Sequence, residues 1–138
     1  ARRLPFRFVL TGRTDLFLHG RRDLPDAIRR LQAYQEAGAD VLLATGLPTV
    51  DSIRSVVASV DRPVHVLIGP RERLLSVAEL AELGVKRISV GGALASAANS
   101  ALIRAARELA GGSLEWATGV LPAREIDGLL RGGAGSAE

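Results

Sequence analysis

Apolar residues recur along this chain in two alternating forms. Short continuous blocks read as strands, and longer stretches with apolar positions at helical spacing read as helices. The strand blocks are Phe6-Arg7-Phe8-Val9-Leu10, Ala39 to Thr45, Pro63 to Ile68 and Lys86 to Val90. The block from Ala39 to Thr45 is apolar on both sides, as in a parallel strand covered on both faces. The opening block, rich in bulky and branched side chains, is expected to be a buried strand that ends at Thr11-Gly12 and delivers Arg13 and Asp15 to a loop.

Between these blocks, Ala27, Ile28, Leu31, Tyr34 and Ala37 share one helical face, and Ile53, Val56, Val57 and Val60 share another. Asp23 caps the first helix, with Pro25 in its first turn where a missing N–H costs little. Thr49-Val50-Asp51-Ser52 opens the second. Ser76, with Glu79 three residues on, forms a capping box ahead of Val77 to Leu83. Gly38 and Gly84 stop their helices, and Glu36-Ala37-Gly38-Ala39-Asp40 and Glu82-Leu83-Gly84-Val85-Lys86 are the same helix-to-strand joint written twice. Gly69-Pro70 closes the third strand block, with a charged loop at Arg71-Glu72-Arg73. After Gly91-Gly92 a long Ala-rich helix runs from about Ala93 to Ala110.

Strand, loop, helix, strand, repeated four times, predicts right-handed βαβ units and a parallel α/β sheet. Eight such units close into a barrel in about 250 residues, so four in 138 residues correspond to half of a TIM (β/α)8 barrel. On this reading residues 1–112 carry four βα units. Residues 113–131 form a C-terminal helical extension, with a short amphipathic helix over Leu121 to Leu130, and 132–138 a Gly- and Ala-rich flexible tail. The extension has too little chain for a core of its own, so oligomerisation through it is expected.

Composition narrows the function classes. At 47% hydrophobic the chain can bury a core, and no apolar run approaches the roughly 20 residues that span a bilayer. A cytoplasmic location is expected, and no membrane partner. The absence of cysteine excludes disulfides, thiolate metal sites and cysteine nucleophiles from this chain. Net charge is +3, but the basic residues, all Arg except Lys86, are scattered through every segment. With Phe6, Phe8, Phe17, Tyr34 and Trp116 the only aromatics, no stacking platform for nucleic acid forms. The chain begins at Ala1 and enters an apolar block within a few residues, which suggests a missing upstream segment.

Candidate chemistry falls at the strand ends, where parallel α/β folds bind ligands. Arg13 can meet a carboxylate or phosphate with two parallel hydrogen bonds; the competing role is an ion pair with Asp15. Asp15 is then a ligand contact or an orienter of Arg13. Thr45, Gly46 and Leu47 end the second strand, as ligand contacts or ordinary turn residues. His65 lies near the start of its strand and reads as a hydrogen-bonded interior histidine or a binding residue. His19 reads as an exposed loop residue. Gly91-Gly92 before a helix is a weak anion-binding signal.

Thr11-Gly12-Arg13-Thr14-Asp15, Glu36-Ala37-Gly38-Ala39-Asp40 with Gly46-Leu47, Pro63-Val64-His65-Val66-Leu67, Ser76-Val77-Ala78-Glu79-Leu80, Leu83-Gly84-Val85 and Ile88-Ser89-Val90-Gly91 occur in an order that resembles one family. It is the C-terminal half of the phosphoenolpyruvate mutase and isocitrate lyase superfamily. The Gly-Leu turn makes the chain similar to its carboxyphosphonoenolpyruvate mutase, oxaloacetate decarboxylase and 2-methylisocitrate lyase relatives. The resemblance implies strands five to eight of a (β/α)8 barrel. It also implies a Mg2+-dependent lyase or mutase that makes or breaks a C–C or P–C bond in a small 2-oxo acid or phosphonate. Arg13 matches the arginine that contacts the substrate's acidic end, Asp15 follows it in the family's Arg-Thr-Asp triplet, and His65 stands where many relatives have Asn. The family's metal-holding acids and mobile loop lie on earlier strands, so no catalytic residue and no metal ligand is assigned in this chain, and the chain alone is expected to be inactive. In the family the final helix is often exchanged between barrels, which implies a homo-oligomer. The alternative from another class is a non-catalytic half-barrel, either a truncation product or a binding module that pairs with a separate N-terminal half.

Overall fold

The structure, a computed structural model, describes residues 4–69 and 75–132. The charged loop expected at Arg71-Glu72-Arg73 and most of the expected tail lie outside the described residues. The chain divides into two compact units, one up to Ala93 and one from Leu94.

The first unit is a parallel sheet, β1 (Thr11–Thr14), β2 (Val41–Ala44), β3 (Val64–Leu67) and β4 (Arg87–Ser89), in the order β1-β2-β3-β4. Helices α1 (Leu24–Glu36), α2 (Val50–Ala58) and α3 (Val77–Glu82) connect the strands. Side chains alternate between the two faces of a strand. Leu42 and Ala44 of β2 and Val64 and Val66 of β3 pack with Leu31, Ile53, Val56 and Leu80 from the helices. Each large side chain removed from water in this layer stabilises the fold by about 1.5–3 kcal/mol.

The caps at Asp23 and Ser76 form as the sequence predicts, and the structure adds one at Thr49. Asp23 accepts from the Asp26 N–H at 2.9 Å, and Thr49 and Ser76 make reciprocal capping boxes with Ser52 and Glu79. Asp26 is itself buried beneath Arg21, Arg29 and Arg30, which fastens the β1–α1 loop to the first turn of α1. The twice-written joint also holds. Gly38 and Gly84 both adopt left-handed backbone, at φ 99° and 88°, where a side chain would be strained.

The opening block departs from expectation. Phe6, Phe8, Val9 and Leu10 are exposed and form no strand; the ladder starts only at Thr11, opposite Val41. The reason lies in β2. Before Val41 the chain is still in the turn leaving α1, so residues ahead of Leu10 have no strand to pair with on that side. Leu10 is the last anchored position: its N–H donates to the Asp40 carboxylate at 2.8 Å and its carbonyl accepts from Asp40 and Val41 N–H groups.

The second unit contains the rest of α4 (Ala93–Ala110), which begins at the unit boundary, then a short 3-10 helix over Glu115–Gly119 and α5 (Ala123–Gly132). Ile126, Leu129 and Leu130 of α5 are exposed. Among the described residues no helix is long and apolar enough to cross a membrane.

Candidate functional site

Gly12 decides which way Arg13 points. A Cβ at Gly12 would come within 2.7 Å of the Tyr34 Cβ, so Gly12 faces α1 and Arg13, one residue on, faces the opposite side of the sheet. The Cα register runs Arg13 to Leu43, Leu43 to His65 and His65 to Arg87, which puts those positions in one row across all four strands.

At the C-terminal end of β1, Arg13 Nε donates to the Asp15 carboxylate at 2.7 Å. Thr45, buried just past β2, donates its hydroxyl to the same Asp15 oxygen at 2.6 Å. The hydrogen bond from Arg13, and then that from Thr45, hold the Asp15 carboxyl below the usual carboxylate range, so it stays ionised and orients the guanidinium rather than carrying protons. With Nε engaged, the terminal N–H groups of Arg13 have no partner among the described residues, and the side chain is half exposed. A guanidinium fixed at its base with a free outer fork suits a carboxylate or phosphonate.

Three of the sequence-predicted site residues, Arg13, Asp15 and Thr45, are thus in direct contact. Gly46 continues the turn with left-handed backbone, at φ 72°, and Leu47 packs against the core cluster between sheet and helices. His65 is buried on the Arg13 face and bonds to Ser89 and Arg87. Burial, followed by the positive charges of Arg87 and Arg13, pushes its pKa below the ordinary histidine value, so the ring is neutral at neutral pH. Arg87 and Ser89 were not singled out from sequence. The available signal was the two-residue spacing in Arg87-Ile88-Ser89, with the apolar Ile88 between them.

A Mg2+ ion requires several oxygen ligands. Among the described residues no group of three His, Cys, Asp or Glu side chains comes together, and Asp15 is already held by Arg13 and Thr45. These side chains do not fit a Mg2+ cage.

The chain is similar to several known proteins. The oxaloacetate decarboxylase of Rhodopseudomonas palustris (strain BisA53) is 34% identical over 118 residues, which cover 86% of this chain and 40% of that enzyme. A protein of Burkholderia cenocepacia J2315, described as a candidate lyase/mutase, has a solved structure that superposes with a TM-score of 0.88 at 52% identity, over 92% of this chain and 46% of that one. The structure of 2,3-dimethylmalate lyase, a member of the phosphoenolpyruvate mutase/isocitrate lyase superfamily, matches with a TM-score of 0.65 at 26% identity, over 73% of this chain and 36% of that one. The chain therefore spans less than half the length of these relatives. The family model for phosphoenolpyruvate phosphomutase matches residues 1–110, and the chain belongs to that family, within the phosphoenolpyruvate mutase and isocitrate lyase superfamily.

Proposed function

We propose that this chain is the C-terminal half, strands five to eight, of a (β/α)8 barrel enzyme that makes or breaks a C–C or P–C bond in a small 2-oxo acid or phosphonate. The observation that carries the reading is the Arg13–Asp15–Thr45 group, a cation held at the strand ends whose outer fork has no partner among the described residues. In this reading Arg13 binds the substrate's acidic group, and Asp15 and Thr45 fix its direction. Gly46 and Leu47 shape the adjoining turn and His65 lies beneath. The relatives that are lyases and a decarboxylase support a reaction of that kind. Residues 1–112 supply the four βα units, 113–131 an extension that pairs subunits through the exposed Ile126, Leu129 and Leu130, and 132–138 a tail. The Mg2+ that the resemblance implies takes its ligands from outside the described residues, and the enzyme works in the cytoplasm without a nucleic-acid partner.

The test is pyruvate release from oxaloacetate by the full-length protein in the presence of Mg2+, followed by a series of other 2-oxo acids. Arg13→Ala is expected to lower kcat/KM by roughly a hundredfold, because a charge-assisted contact to the substrate is lost. No turnover of any 2-oxo acid by a folded full-length barrel would overturn the lyase reading. A second reading is a non-catalytic module that pairs with a separate N-terminal half. Intact mass of the expressed protein separates the two.

A further inference from the structure

The side chains around His65 on the sheet face shared with Arg13 form a second polar group. His65 Nε2 lies 2.7 Å from Ser89 Oγ, and its Nδ1 lies 3.3 Å from a terminal nitrogen of Arg87. A guanidinium carries donors and no acceptor, so Nδ1 accepts from Arg87 and the ring hydrogen sits on Nε2, donating to Ser89. Ser89 keeps its own hydroxyl hydrogen to give away, and Arg87 keeps further N–H groups. Arg87 is exposed, and among the described residues no carboxylate pairs with it. Among the described residues the group therefore offers positive charge and spare donors with no carboxylate to receive them.

From this geometry we propose that Arg87 and Ser89, with His65 as the positioning residue, form a second oxyanion-binding site on the sheet face shared with Arg13, distinct from the Arg13 site, which takes a carboxylate or a phosphate-like group. His65 holds the guanidinium and the hydroxyl in place from behind. The charged groups bearing on His65 among the described residues are Arg87 from β4 and Arg13 from β1, while its neighbour on β2 is the apolar Leu43. An anion on Arg87 offsets part of the positive charge that disfavours the imidazolium. Protonation also takes the Nδ1 lone pair that accepts from Arg87, so anion binding and His65 titration are linked.

The experiment uses the full-length protein, with sulfate as the probe because its charge is constant across the histidine range. The His65 ring signals, assigned with His65→Gln, are followed by NMR at constant ionic strength. The expected result is a saturable shift, a displaced His65 titration with sulfate bound, and a matching pH dependence of sulfate affinity. Arg87→Gln is expected to weaken binding by about tenfold or more, and Arg13→Ala by less than about twofold. His65→Gln is expected to abolish the pH dependence of sulfate affinity, which a purely structural histidine would not govern. Far-UV circular dichroism checks each fold, and Arg87→Lys, which keeps the charge, is expected to restore part of the affinity if Arg87→Gln proves unstable. Displacement of sulfate by pyruvate would assign the site to a substrate's acidic group, and co-binding to a separate anion; both keep the site. A shift that does not saturate, that survives both Arg87 substitutions unchanged, or that vanishes in Arg13→Ala overturns the proposal. None of these readouts depends on turnover, so the site and the lyase reading fail separately.

Discussion

The Thr45 hydroxyl donates to the Asp15 carboxylate at 2.6 Å and so ties the end of β2 to the end of β1 across 30 residues of chain. That bond makes the direction of Arg13 a property of two strands rather than one.

Thr45→Val keeps the shape and removes the donor. Because the lost bond reaches a charged group and Thr45 is buried, a destabilisation of about 1–3 kcal/mol is expected from urea denaturation. The Asp15 carboxyl should titrate at higher pH by NMR, since one of the two hydrogen bonds that lower it is gone. Thr45→Ser should restore the low value; an unchanged Asp15 titration in Thr45→Val would refute the coupling.

Gly12→Ala drives a methyl group to within 2.7 Å of the Tyr34 Cβ. A loss of about 1–3 kcal/mol is expected, read as a fall in Tm. Tyr34→Ala should not rescue it, because the clash is with the Cβ that alanine retains. Rescue by Tyr34→Ala would place the conflict at the ring instead.

His65 has a folded pKa below its unfolded value of about 6.5, so the unfolded chain takes up the proton first as pH falls. Its contribution to stability should be flat above that value and should diminish from there down to the folded pKa. Denaturation midpoints across this window, in chloride without sulfate, should show that acid-side slope in the wild type and a shallower one in His65→Gln. Equal slopes would assign the loss to other groups.

Leu42→Ala empties a fully buried position between the sheet and the helices. The expected cost is about 2–5 kcal/mol, measured by denaturant unfolding. A cost below about 1 kcal/mol would mean that this layer is not the core.

Much of the architecture was legible in the chain because its causes are local. Asp23, Thr49 and Ser76 bond N–H groups three residues away, and Gly38 and Gly84 relieve backbone strain at a single position, so each announces its helix end without reference to the rest of the fold. The small and polar residues after the second apolar block placed Thr45 at a strand end for the same reason, whereas Arg13, expected in a loop beyond a strand ending at Thr11-Gly12, lies within β1. The apolar run Phe6 to Leu10 shows the limit: its composition favours a strand, but a strand requires a neighbour, and the neighbour begins only at Val41.

The sequence alone therefore determined the order of elements and their parallel arrangement, since periodicity and capping act over a few residues. Tertiary structure alone decided which distant side chains meet. Alternation assigns Arg87 and Ser89 to a face, but only the register of β3 against β4 brings them to His65, across 22 and 24 residues of chain, and only the β1–β2 pairing sets Thr45 against Asp15. Cross-strand hydrogen bonding fixes those encounters.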